Sequence, residues 1–147
     1  MNECARIADQ LERSYRGPAW HGPSLLENLK DVIAAKAAGR IWQIVRHVAA
    51  WEEEVAKVLD GKPYVTLGGE EDWPPVNDAS DDAWQSTLNG LDRAHKSLRE
   101  AMLRFPEARL SEKVPGRNFP FYGLMLGIVQ HNAYHAGQLG MLRRPVT

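Results

Sequence analysis

Apolar residues recur along most of this chain at three- and four-residue steps, the spacing that lines up one face of an α-helix. Four stretches carry the pattern. In residues 3 to 15, Cys4, Ile7, Ala8, Leu11 and Tyr15 form an apolar face among Arg6, Asp9, Glu12 and Arg13, and Gly17-Pro18 supplies the stop. From Arg40 to Leu59, the core side is marked by Ile41, Ile44, Val45, Val48, Val55 and Leu59. His47 lies on the flank of that stripe with Trp51 one turn later, and Glu52, Glu53 and Glu54 read as a solvated face. A third helix starts at a Ser80 cap, with Asp81 and Asp82 where the helix dipole favours acids. Its stripe runs through Trp84, Leu88, Leu91, His95, Leu98, Met102 and Phe105, and Pro106 ends it. The last helix spans Phe119 to Arg144 and sets Leu124, Ile128, His131, His135 and Leu142 on one stripe.

The connections decide how these helices are arranged. Ser24, with Glu27 three residues on, has the form of a capping box for a short helix over Leu25 to Val32, followed by an Ala-rich turn around Ala34 to Gly39. Residues 60 to 79 contain three prolines and three glycines and have no helical period. A connection of this length is uncommon between neighbouring antiparallel helices, so it reads as a crossover along the bundle that makes the second and third long helices parallel. No stretch alternates as a strand would. The expected fold is an all-α four-helix bundle with a long crossover between helices 2 and 3, formed as a single domain over residues 1–147.

Composition narrows the function classes. Net charge is −1, which gives no reason to expect nucleic acid or an anionic membrane as partner. No apolar run approaches the roughly 18–20 residues of a membrane span, and the charged, amphipathic start MNECARIADQLERSYRG does not read as a signal peptide. The single Cys4 precludes an intramolecular disulfide and fits a reducing compartment. A cytoplasmic protein acting on a small molecule is the expectation.

The chemistry gathers on the last helix. An imidazole in a core needs a partner for each ring nitrogen, and a metal ion suits two histidines four apart on one helix face. The plain alternative for His131 and His135 is a pair of core histidines satisfied by neighbours. HNAYH is not the HExxH of zinc proteases, because Asn132 stands where that motif has its general-base glutamate. A catalytic site takes about three protein ligands. His47 sits roughly 10 Å along its helix and His135 roughly 13 Å from the end of its own, at a rise of about 1.5 Å per residue. Antiparallel packing of those two helices therefore brings the depths within a turn, while an ordinary flank histidine is the other reading of His47. With the crossover, His95 falls nearer the opposite end and reads as structural or rim-facing. Trp20 and His21, in the loop nearest His47, either line the mouth of the site and bind substrate, or plug the bundle end and face solvent.

The run Ile41-Trp42 to His47-Val48-Ala49-Ala50-Trp51, the C-terminal His131-Asn132-Ala133-Tyr134-His135-Ala136-Gly137-Gln138, and the segment Trp20 to Leu25 together resemble the DinB-like superfamily over nearly the whole chain. The resemblance implies an up-down-down-up four-helix bundle, a divalent ion (zinc or nickel) held by His47, His131 and His135, and a homodimer. Such families include bacillithiol transferases and mycothiol-dependent maleylpyruvate isomerases alongside members of unknown function. The implied activity is transfer of a low-molecular-weight thiol to an electrophile, or hydrolysis of a small substrate. The alternative is a non-catalytic, stress-linked bundle that binds metal or ligand.

Overall fold

The computed structural model describes residues 1–144, and its order is helical throughout. α1 (Glu3–Arg16) is capped by Asn2, whose side chain accepts from the Ala5 N–H, and ends where Gly17 takes a positive φ that a side chain would resist. α2 (Leu25–Leu29) carries the full capping box between Ser24 and Glu27. A single turn, α3 (Ala34–Ala37), replaces the Ala-rich turn expected from sequence, and α4 (Arg40–Leu59) has the bounds its periodicity gave. The long connection contains a one-turn helix, α5 (Gly69–Asp72), that the period-free sequence did not announce. α6 (Asp81–Arg104) is capped by Ser80, a 3-10 turn covers Glu107–Arg109, and α7 (Phe121–Arg143) closes the order. Two isolated bridges are the only β pairing among the described residues.

The four long helices, α1, α4, α6 and α7, pack in a ring: α4 lies against α6 and α7, and α1 against the same two. Trp42, near the start of α4, donates from Nε1 to Thr87 near the start of α6 (2.9 Å), and Arg104 at the end of α6 donates to Asp60 just past the end of α4 (3.0 Å). Tyr15 and Arg16 at the end of α1 both reach Asp92.

The core is divided in two. One apolar cluster gathers Cys4, Leu11, Val55, Leu98, Met125 and Ile128; the other gathers Tyr15, Trp42, Val48, Leu91, Ala136 and Leu139. Between them each long helix contributes a buried polar residue to one layer: Ser14 on α1, Glu52 on α4, His95 on α6 and Asn132 on α7. Asn132 donates to Glu52 Oε1 (2.8 Å) and to Ser14 Oγ (3.3 Å), and the Ser14 hydroxyl donates to the Leu11 carbonyl (2.7 Å). His95 Nε2 meets Glu12 (2.7 Å), its ring stacks on Tyr15 at 3.9 Å, and Nδ1 lies 3.8 Å from Glu52.

This layer corrects two sequence expectations. Glu52 is fully buried and Glu54 is buried with its carboxylate accepting the Val65 N–H, so Glu53 alone of the three behaves as a solvated face. A buried polar group is retained where it finds partners, and charge-run composition cannot see those partners. On α7, the buried stripe runs through Leu124, Ile128, Asn132, His135 and Leu139 rather than ending on Leu142, which is exposed. His131 consequently sits at the edge of the core, and Asn132 at its centre.

Candidate metal centre

His47 comes from α4 and His131 and His135 from α7, one turn apart, so the two helices present three imidazoles to one point. One ring nitrogen of each lies within 4.8 Å of the other two. The shortest approaches are Nε2 to Nε2: 3.0 Å from His47 to His131 and 3.1 Å from His135 to His131.

The outer nitrogens set the tautomers. His47 Nδ1 is 2.8 Å from the Asp72 carbonyl and 3.0 Å from its carboxylate, both of which only accept, so Nδ1 carries the proton. His135 Nδ1 donates in the same way to Gln138 Oε1 at 2.6 Å. Both residues therefore turn an unprotonated Nε2 inward, which is the form that binds a metal and the arrangement by which outer partners orient ligating histidines. Two lone pairs facing a third ring nitrogen make a poor hydrogen-bond network. They make a good three-nitrogen donor set for a divalent ion.

Electrostatics favour the neutral forms of His131 and His135. Burial, and then the neighbouring His135 and His47, push His131 down to about 3. Burial first, with His47 adding to it, also lowers His135, against the hydrogen bond it donates to Gln138. The folded chain thus resists protonation that the unfolded chain accepts from about pH 6.5 downward. Stability of the metal-free protein is expected to be full above that value and to fall progressively toward pH 3. Thermal unfolding between pH 7.5 and pH 5 checks this, and His131→Gln should flatten the dependence. An equal melting temperature at both pH values would remove the electrostatic account.

α5 closes one side of the centre. Trp73 stacks flat on His47 at 3.8 Å with the planes 5° apart, and Trp51 donates from Nε1 to Asp72 Oδ1 at 2.7 Å. Asp72 and Trp73 were missed by sequence reasoning, which took residues 60–79 only as a connection. Their one signal was an acid-aromatic pair interrupting a polar, proline-rich tract. Gln138 lay inside the motif but without a role; its position three after His135 is the spacing that places it on the same face.

The remaining candidates lie elsewhere. Trp20 is fully exposed and His21 exposed, in the turn closed by the Ala19–Gly22 bridge. Among the described residues, no hydrogen bond or ring contact joins either one to the three histidines. His95 is buried in the polar layer with Glu12, apart from the cluster. Tyr134 touches His135 edge-on but points to solvent.

An apolar cleft of about 350 Å³ opens beside His131, walled by Trp51, Val55, Tyr64, Phe119, Leu124 and Ile128 with Gly123 and Gly127 along α7. No described helix is long and apolar enough to cross a membrane.

A family model described as the DinB superfamily matches residues 39–139, a span that holds all three histidines and most of the chain. No curated protein and no solved structure matches the chain.

Proposed function

The chain belongs to the DinB superfamily, and on that premise we propose that it is a divalent-metal-dependent enzyme that transfers a low-molecular-weight thiol to a small electrophile. The observation that carries the reading is the convergence of three ring nitrogens, two of them left unprotonated because Asp72 and Gln138 hold the ring proton on the opposite nitrogen. The frame we propose for it is one domain, an up-down-down-up four-helix bundle. The start-to-start contact of α4 with α6 at Trp42 and Thr87, and the end-to-end contact at Asp60 and Arg104, support that order.

His47, His131 and His135 would hold zinc or nickel. A divalent ion bound by three neutral histidines supplies Lewis acidity, which lowers the pKa of a thiol or water that approaches it. The protein's own residues favour the thiol. A water nucleophile gains from a nearby general base, yet Asp72 is committed to His47 Nδ1 and Trp51, and Glu52 is committed to Asn132. Hydrolysis of a small substrate is therefore the less supported chemistry. Trp73 covers one face of His47 and limits the approach to the other sides.

The proposal includes a cytoplasmic location, which a free and buried Cys4 fits, and a homodimer. For the dimer, α7 offers a stretch without Asp, Glu, Lys or Arg from Asn132 to Leu142, beyond the cleft-lining residues, on which Tyr134 and Met141 are exposed.

Steady-state kinetics of metal-loaded protein with a thiol-reactive electrophile and a panel of cellular thiols tests the activity. Turnover with one thiol, lost in His47→Ala, is expected. Binding of metal with no turnover for any thiol or for water would leave a non-catalytic metal-binding bundle instead.

A further inference from the structure

We infer that the cleft beside His131 is a binding site for an uncharged, ring-bearing small molecule, whose polar centre lies at the histidine end. The inference takes its orientation from the metal reading above, but the cleft itself does not depend on it.

The lining decides the chemistry of the occupant. Trp51, Tyr64 and Phe119 supply three aromatic walls, with Tyr64 and Phe119 edge to face at 5.8 Å. No charged side chain lines the cavity. A carboxylate or ammonium placed there would lose its hydration without gaining a partner, whereas an apolar ring gains by leaving water. Aromatic walls add ring-to-ring contacts on top of the area buried. A volume of about 350 Å³ is ample for such a ligand, since an engineered apolar cavity of about 150 Å³ already holds benzene. The cavity therefore has room for a fused ring pair or for a ring with a short chain.

Gly127 keeps this space open. It stands inside α7, where glycine costs about 0.5–1 kcal/mol relative to alanine, and a Cβ built on it meets nothing within 4 Å. Nothing in the packing requires glycine at this position. A side chain here would extend into the cleft rather than into a neighbour, so Gly127→Leu fills the site without disturbing the helix.

The test titrates metal-free protein with 2-naphthylmethanol and with 2-naphthoate, using isothermal calorimetry. The alcohol is expected to bind, and the carboxylate at least about tenfold more weakly. Gly127→Leu is expected to weaken the alcohol at least about tenfold while its melting temperature stays equal or rises. Equal binding of the carboxylate, no binding of the alcohol, or full binding by Gly127→Leu would each overturn the site. So would a cleft sealed by a second copy, seen as a dimer that Gly127→Leu dissociates. Metal content measured on the same samples after loading separates this inference from the metal reading. Ring binding without metal uptake keeps the cleft and removes the ion, and metal uptake without ring binding does the reverse.

Discussion

Alanine at His47, His131 or His135 is expected to strip the protein of its divalent ion, while alanine at His95 leaves the ion in place. The three substitutions each remove one of the nitrogens that lie within 4.8 Å of one another, and a site reduced to two protein ligands no longer has the donor set of a stable catalytic centre. His95 is the control because it is buried yet spends Nε2 on Glu12 and its ring face on Tyr15. Asp72→Ala should fall between these extremes. It removes the carboxylate, one of the two acceptors that fix the His47 tautomer, and such outer partners are worth about 10–100-fold in metal affinity. Elemental analysis of untagged protein, followed by competition with a chelator of known affinity, reads the whole series. Metal retained by His47→Ala would sink the three-histidine centre, and metal lost with His95→Ala would point to a different ligand set.

Asn132→Ala should be the most damaging single change to stability away from the hydrophobic clusters. The side chain is wholly buried and, among the described residues, is the only hydrogen-bond donor to the Glu52 carboxyl, itself fully buried. Truncation leaves that carboxyl and the Ser14 hydroxyl without their partner across helices, at a cost of about 2–4 kcal/mol. For a chain of this length the melting temperature should drop by roughly 10 °C. Asn132→Asp should be at least as harmful, because it sets a second carboxyl against the first. Glu52→Gln keeps an acceptor for Asn132 and should be the mildest of the three. Thermal or urea unfolding of the metal-free proteins gives the ranking, and an Asn132→Ala protein that melts with the wild type would show that the layer contributes no stability. The same geometry explains why glutamate at position 132 would not make a protease of this helix. The side chain at that position points into the core, away from the point where the three ring nitrogens meet.

Much of the fold was legible because periodicity is a local signal. The stripe of α4 and the Ser80 and Ser24 caps are set by neighbours within a turn or two, and the structure follows them. What was misread depends on distant residues. The buried state of Glu52 needs Asn132, eighty positions away, and in a row of three glutamates the sequence marks nothing special about it. His131 and Asn132 are adjacent, so a phase error of one position on a 3.6-residue period is enough to exchange core centre for core edge. The three histidines could be proposed because their depths along two helices agree if those helices oppose. Asp72 and Trp73 could not, because a single turn in a long connection has neither period nor fixed depth. Trp20 and His21 were assigned by proximity in the chain, and both stand exposed in the turn closed by the Ala19–Gly22 bridge.

His47 and His131 are separated by 84 positions, and this distance governs when the site comes into being during synthesis. Two of the three nitrogens lie on α7, so synthesis must pass His135 before all three exist together. Contacts of such long range form late, after local helices and after the loss of chain freedom that closing so large a loop demands. A nascent chain can therefore present no complete trap for cellular metal. On the metal reading, capture of an ion would follow assembly, and a filled site would report that both halves of the bundle have found each other.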